Sequence, residues 1–300
     1  MTAQSSATAS RAVTGGIFLG ALGVLAFSLS LPFTRVAVAD LDPWFVAFGR
    51  AVGAGMLAWV YLRVTSATAP TPQQWCRLAV VAIGVVVGFP LFTSLALTTS
   101  TSAHGAVVIT VLPAMTAVFA VLRAGERPPA LFWLASLGGL AVVLTFLVTS
   151  GAVHGELTSA DLFLLIAVIL CGLGYAEGGA LSRELGGART ICWALIISLP
   201  VTVPVTVTSA LASPPHAGVS GWAAFGYLTV VSMFLGFFAW YGGLARGGIA
   251  KVGQIQLMQP LLTLAWSALL LGEAVSRSSI AAALIVLGCV VLTQRTRSKG

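Results

Sequence analysis

Apolar residues dominate this chain in runs of about twenty, and short polar breaks separate the runs. The runs fall near Thr14–Val38, Pro43–Val64, Trp75–Leu97, Ala103–Leu122 and Pro129–Val148. They resume near Asp161–Leu181, Thr190–Leu211, Gly221–Ala245, Ile249–Leu271 and Ser278–Leu292. A helix needs about 20 apolar residues to cross the hydrocarbon core, so each run predicts one spanning helix. The breaks carry turn residues, as in Asp40-Leu41-Asp42-Pro43, Ala69-Pro70-Thr71-Pro72, Pro128-Pro129, Gly186-Gly187 and Ser213-Pro214-Pro215. The expected fold is an all-α integral membrane protein with ten transmembrane helices.

Composition agrees. Of 300 residues, 58% are hydrophobic and 8% are charged. A soluble domain carries about a quarter charged residues, so this chain could not cover a water-facing surface. The net charge of +7 would suggest nucleic acid in a soluble protein. Here the basic residues sit between apolar runs and speak of orientation instead, with no nucleic acid as a partner. Cys76, Cys171, Cys192 and Cys289 lie far apart in or beside apolar runs and form neither a metal spacing nor a disulfide framework. Residues 1–13 read as a disordered tail and residues 294–300 as a basic tail. Ala37-Val38-Ala39 resembles a signal-peptide cleavage site. The run before it is longer than the 7–15 apolar residues usual for a signal peptide, so it is kept as a span.

Placing the N-terminus in the cytoplasm puts Arg11, Arg63, Arg77, Arg123, Arg127, Arg183, Arg189, Arg246, Lys251, Arg295, Arg297 and Lys299 inside. Asp40, Asp42, Glu156 and Asp161 fall outside. That follows the positive-inside rule and puts both tails in the cytoplasm of a bacterial inner membrane.

The chain also repeats itself. Pro113 and Pro260 stand 147 residues apart, and so do Glu126 and Glu273, each after a glycine. Ala141-Val142-Val143-Leu144-Thr145 matches Cys289-Val290-Val291-Leu292-Thr293 at nearly the same offset. Each copy, 14–148 and 160–293, holds five spans. Five is odd, so the second copy enters the membrane inverted. Inverted repeats with a site between them are the mark of alternating-access transporters.

The residues Leu95-Ala96-Leu97, Ala103, Pro113 and Gly125-Glu126-Arg127, answered by Leu244-Ala245, Ala250, Pro260 and Gly272-Glu273, resemble the two EamA repeats of the drug/metabolite transporter superfamily. Asp42-Pro43-Trp44-Phe45-Val46-Ala47-Phe48-Gly49-Arg50 is similar to that family's second helix. The resemblance implies a carrier that exports small metabolites such as amino acids through a central cavity lined by the first four helices of each repeat. No enzyme activity and no cofactor are expected, and the energy would come from a gradient of protons, as the coupling ion, or of the substrate itself.

Several residues could carry such work. Arg50 lies about 10 Å into the second span and would clamp an anionic substrate, or pair with Asp40 or Asp42. Glu177 lies about 9 Å from the end of the sixth span and would carry a coupling proton, or pair with a cation such as Arg183. Lys251, Gln254 and Met258 share one helical face, and Gln256, Gln259 and Thr263 another. These amides would bond substrate or glue helices together. Phe92, Trp240 and Tyr241 could form an aromatic wall. Pro32, Pro90, Pro113 and Pro260 would kink their spans as gates or as packing devices. Gly16/Gly20, Gly84/Gly88, Gly174/Gly178 and Gly243/Gly247 argue for close helix packing. Two other classes remain: an intramembrane serine protease on Gly218-Val219-Ser220-Gly221, and a non-transporting scaffold.

Overall fold

A computed structural model of the chain describes residues 2–126 and 158–275, with scattered positions beyond them. Among the described residues every regular element is helical. Eight helices are long and apolar enough to cross a membrane: Thr14–Asp40, Pro43–Val64, Pro72–Thr99 and Ser102–Ala124, then Ser159–Leu185, Gly187–Ala212, Val219–Gly247 and Ile249–Leu271. They are the expected spans one to four and six to nine, and are numbered accordingly. The expected fifth and tenth spans lie largely outside the described residues. Residues 2–13 continue the first helix, which runs from Thr2 to Ser28. No glycine or proline interrupts the chain before Gly15, so nothing local stops the helix there.

Local chemistry sets the helix starts. Asp42 precedes Pro43, and its carboxylate accepts the amides of Trp44 at 2.9 Å and Phe45 at 3.1 Å. Thr71 with Gln74, and Thr158 with Asp161, form reciprocal capping boxes. Arg35 donates to the carbonyls of Leu97 and Thr98, tying the first span to the end of the third.

The spans are broken at matched places. The third passes through a π-helical stretch, Ala82–Gly88, and the eighth through another, Leu228–Leu235. Their last residues again stand 147 apart. The fourth breaks at Thr110–Val111, and the ninth winds into a 3₁₀ turn at Gln254–Leu257. The four candidate prolines each lie within the first three residues of a helical piece: Pro32 after a turn at Leu29 in the first span, and Pro90, Pro113 and Pro260 after the breaks in the third, fourth and ninth. Proline lacks the amide proton and clashes with a preceding carbonyl, so it suits a new start better than a helix interior.

Packing follows the same pairing. The first span packs on the eighth, and the sixth on the third. The fourth lies on the sixth, and the ninth on the first. The second meets the seventh, and the fourth meets the ninth. Exchanging each span for its counterpart in the other half maps this set of contacts onto itself. Glycines allow close approaches. A Cβ on Gly16 would fall 2.7 Å from the backbone of Gly247, and one on Gly84 would fall 2.5 Å from the carbonyl of Leu170.

Candidate functional site

The fourth and ninth spans are joined at both ends. Each terminates in a left-handed glycine, Gly125 at φ +65° and Gly272 at φ +63°. The following amide bonds back six residues: Glu126 to Ala120 at 3.1 Å and Glu273 to Ser267 at 3.2 Å. This glycine-ended cap fixes the direction in which each glutamate leaves its helix. Glu126 accepts the amides of Ile249 at 3.0 Å and Ala250 at 2.9 Å, the first residues of the ninth span. Glu273 accepts the amides of Ser102 at 3.1 Å and Ala103 at 3.0 Å, the first residues of the fourth. The two spans therefore run antiparallel, each capped by the glutamate that ends the other. Helix starts carry free amides and partial positive charge, so a carboxylate there is well placed. A helix of 23 residues rises about 34 Å, which puts the two caps at opposite ends of the bundle.

Further bonds reinforce both ends. Arg183 donates to Glu126 at 2.8 Å. On the same side Glu177, only 2% exposed, accepts from Arg77 and from Arg123, the latter at 2.8 Å. Arg77 also reaches Glu184 at 2.6 Å, and Gln74 donates to Glu184 at 3.0 Å. At the other end Ser102 donates to Glu273, its hydroxyl lies 2.7 Å from that of Ser267, and His104 lies 2.7 Å from Asp161. So Glu177 pairs with Arg77 and Arg123 rather than with Arg183.

Between these ends lies a narrow cavity. It is lined by Phe27, Ser30 and Leu31 of the first span, Arg50 of the second, and Val85 and Phe89 of the third. Cys171 and Tyr175 of the sixth, Ser232, Met233 and Phe237 of the eighth, and Gln259 of the ninth complete it. Cys171 and Ser232 fall near the middle of their spans, so the cavity lies at mid-depth. Ser30 and Ser232 share a hydrogen bond of 2.7 Å across its wall. Among the described residues Arg50 is the one charged residue of the lining. It is 2% exposed, its Nε lacks a hydrogen-bond partner, and no carboxylate among the described residues pairs with it. Asp42 is occupied by its own helix start and by Ser209, and Asp40 faces the amide of Gly218. The alternative pairing of Arg50 with these acids is therefore absent from this structure.

The remaining candidates divide. Gln259 lines the cavity, and Gln256 backs it by donating to Gln259 at 3.3 Å. Gln254 is buried in the 3₁₀ turn, whereas Met258 is 42% exposed. Four residues at about 120° each, instead of 100°, rotate the next helical piece by roughly 80°, which turns Met258 away from the face it was expected to share. Trp240 and Tyr241 are fully buried behind the lining. Trp240 packs on Tyr175 and Phe27, and Tyr241 donates to the carbonyl of Gly174 at 3.0 Å. Phe92 packs at a tilt against Phe163, away from the cavity. Ser220 is exposed at a helix start, and the nearby ring of His216 bonds the carbonyl of Pro214. By residue type alone the two capping glutamates are ordinary acids after helix-ending glycines. Their shared offset is the signal that they act as a pair.

The EamA-like transporter family matches residues 14–148 and 158–294. A protein of Bacillus subtilis (strain 168) called "Uncharacterized transporter YdeK" is 44% identical over 282 residues, covering 94% of this chain and 98% of its own. An "Uncharacterized transporter" of Archaeoglobus fulgidus is 23% identical over 278 residues, covering 91% of this chain and 95% of its own. A solved structure titled "Crystal structure of protein" superposes with a TM-score of 0.71 at 16% identity, over 96% of this chain and 99% of that one. It is a likeness of fold.

Proposed function

The chain belongs to the EamA-like transporter family, and from that premise we propose a secondary transporter that moves a small metabolite by alternating access. In this reading two inverted five-helix repeats face each other across the cavity, in a bacterial inner membrane with both tails in the cytoplasm. The cargo is an amino acid or related compound, and the direction is export. One observation carries the reading: the reciprocal caps at Glu126 and Glu273. Two equivalent closures at opposite ends of one antiparallel helix pair are what an alternating carrier needs, since one must open while the other holds. Here both are closed and the cavity is narrow, which corresponds to an occluded state. The Arg77–Glu177–Arg123 cluster reinforces the end that carries Glu126.

The test is uptake of labelled amino acids and other small metabolites into proteoliposomes, with and without an imposed pH gradient. A saturable signal is expected, and its dependence on the gradient would identify protons as the coupling ion. Absence of saturable uptake across the panel, in liposomes shown to hold folded protein, would overturn the proposal.

A further inference from the structure

We infer that the cavity selects the carboxylate of its cargo and has no place for an ammonium group, so that the preferred substrate is a monoanionic organic acid with an apolar body. The inference rests on the transport reading above and narrows its cargo to the related acids, excluding the amino acids themselves.

Among the described residues the lining holds one cation, Arg50, and no acid. A buried guanidinium is retained when something of opposite charge neutralises it, at least for part of the working cycle. Here the described protein residues supply none, because Asp42 caps its own helix and Glu177 is held by Arg77 and Arg123. Arginine presents a planar fork of donors that matches a carboxylate in bidentate fashion. A single such fork with no second cation in the lining suits one carboxylate better than a phosphate dianion. Ser30, Ser232 and Gln259 can bond a further polar atom such as a keto or hydroxyl oxygen. The rest of the wall, with Phe27, Phe89 and Phe237, is apolar and suits a hydrocarbon or aromatic body. The ammonium of a zwitterion would enter this cavity without a carboxylate to meet it, which is costly in a low-dielectric site.

Four compounds of one shape separate these cases: 3-phenylpropanoate as the anion, L-phenylalanine as the zwitterion, 3-phenylpropanamide as the neutral analogue and 2-phenylethylamine as the cation. Thermal stabilisation of the detergent-solubilised full chain reads binding without passive leak through a bilayer. The anion is expected to bind at least tenfold more tightly than each of the others. Arg50→Gln should abolish that preference, and Arg50→Lys should keep part of it. If Arg50→Gln fails to fold, Gln259→Glu serves instead. It places a carboxylate in the cavity beside the arginine, should leave the protein folded, and should remove anion binding. Equal or tighter binding of the zwitterion, amide or amine, or no binding of any of the four, overturns the inference. A saturable proteoliposome signal confined to non-acids would sink it while leaving the transport reading intact.

Discussion

Glu126 and Glu273 close opposite ends of one helix pair, each seated on the amides that begin the other's span, at Ile249–Ala250 and Ser102–Ala103. The relation is reciprocal, so the two bonds are equivalent in kind and differ in surroundings. Glu126 has Arg183 beside it, and Glu273 has the hydroxyl of Ser102. Chemical weakening of one end should therefore not weaken the other.

Cys171, which lines the cavity, reports on this directly. With Cys76, Cys192 and Cys289 replaced by serine, a membrane-impermeant maleimide should label Cys171 slowly from either face. Glutamine in place of a capping glutamate keeps one acceptor and loses the charge. Hydrogen bonds to charged groups contribute about 1.5–3 kcal/mol, so the loss should be about 1–2 kcal/mol, or roughly tenfold in the closed-to-open ratio. Glu126→Gln should speed labelling from one face and Glu273→Gln from the other. Acceleration by both from the same face would contradict the reciprocal arrangement.

Glu177 is a structural tie in this conformation. It is buried between two guanidiniums whose own exposure differs, 24% for Arg77 and 45% for Arg123. Glu177→Gln leaves both arginines without their common partner. Because the arginines reach water, the cost is discounted from the 3–5 kcal/mol of a fully buried pair to about 1–3 kcal/mol. Arg77→Ala should cost more than Arg123→Ala, since Arg77 also holds Glu184. Thermal unfolding in detergent ranks the three variants, and a milder Arg77→Ala than Arg123→Ala would refute the assignment.

Much of this architecture can be read from the residues. The eight described spans begin and end within a few residues of the apolar runs, because lipid demands long apolar segments whose backbone groups bond within the helix. Repeat pairing is legible because a glycine-ended cap needs specific residues, and Gly125-Glu126 and Gly272-Glu273 supply them in both halves. The contacts between distant residues are not legible. Arg77 and Arg123 meet Glu177 from the third and fourth spans, and no spacing along the sixth announces them. Met258 departs from its expected face because a 3₁₀ turn resets the helical phase, and Gln254–Leu257 carries no local sign of it. Arg50 stands out because a charge in a span is rare, but only the fold shows that its nearby acids are engaged elsewhere.

The prolines make a testable contrast with kinks in helix interiors. Pro113 and Pro260 stand in the first turn after breaks that other residues also define. Proline is well tolerated in the first turn of a helical piece, where a missing amide costs least. Pro113→Ala and Pro260→Ala should thus change stability by less than about 1 kcal/mol, well under the ~3 kcal/mol of an interior proline site. Unfolding temperatures within a few degrees of the parent would bear this out, and a collapse of folded yield would show that the prolines themselves hold the breaks.

Helix approaches of backbone on backbone should be unforgiving positions. A methyl group on Gly84 would meet the Leu170 carbonyl at 2.5 Å and the Gly174 backbone at 2.8 Å, and backbone cannot swing aside as a side-chain tip can. One on Gly16 would meet the Gly247 backbone at 2.7 Å. Overpacking of this kind costs about 1–3 kcal/mol or forces the helices apart. Gly226 has open space around its Cβ direction and sits within a helix, so alanine there should be neutral or stabilising by about 0.5–1 kcal/mol. Gly84→Ala and Gly16→Ala should lower both folded yield and unfolding temperature, and Gly226→Ala should lower neither. The two glycine contacts join the third span to the sixth and the first to the eighth, which are counterpart interfaces in the two halves. Substitution at either should therefore act alike. A tolerated alanine at Gly84 beside a disruptive one at Gly16 would mean that the two interfaces are not packed equally.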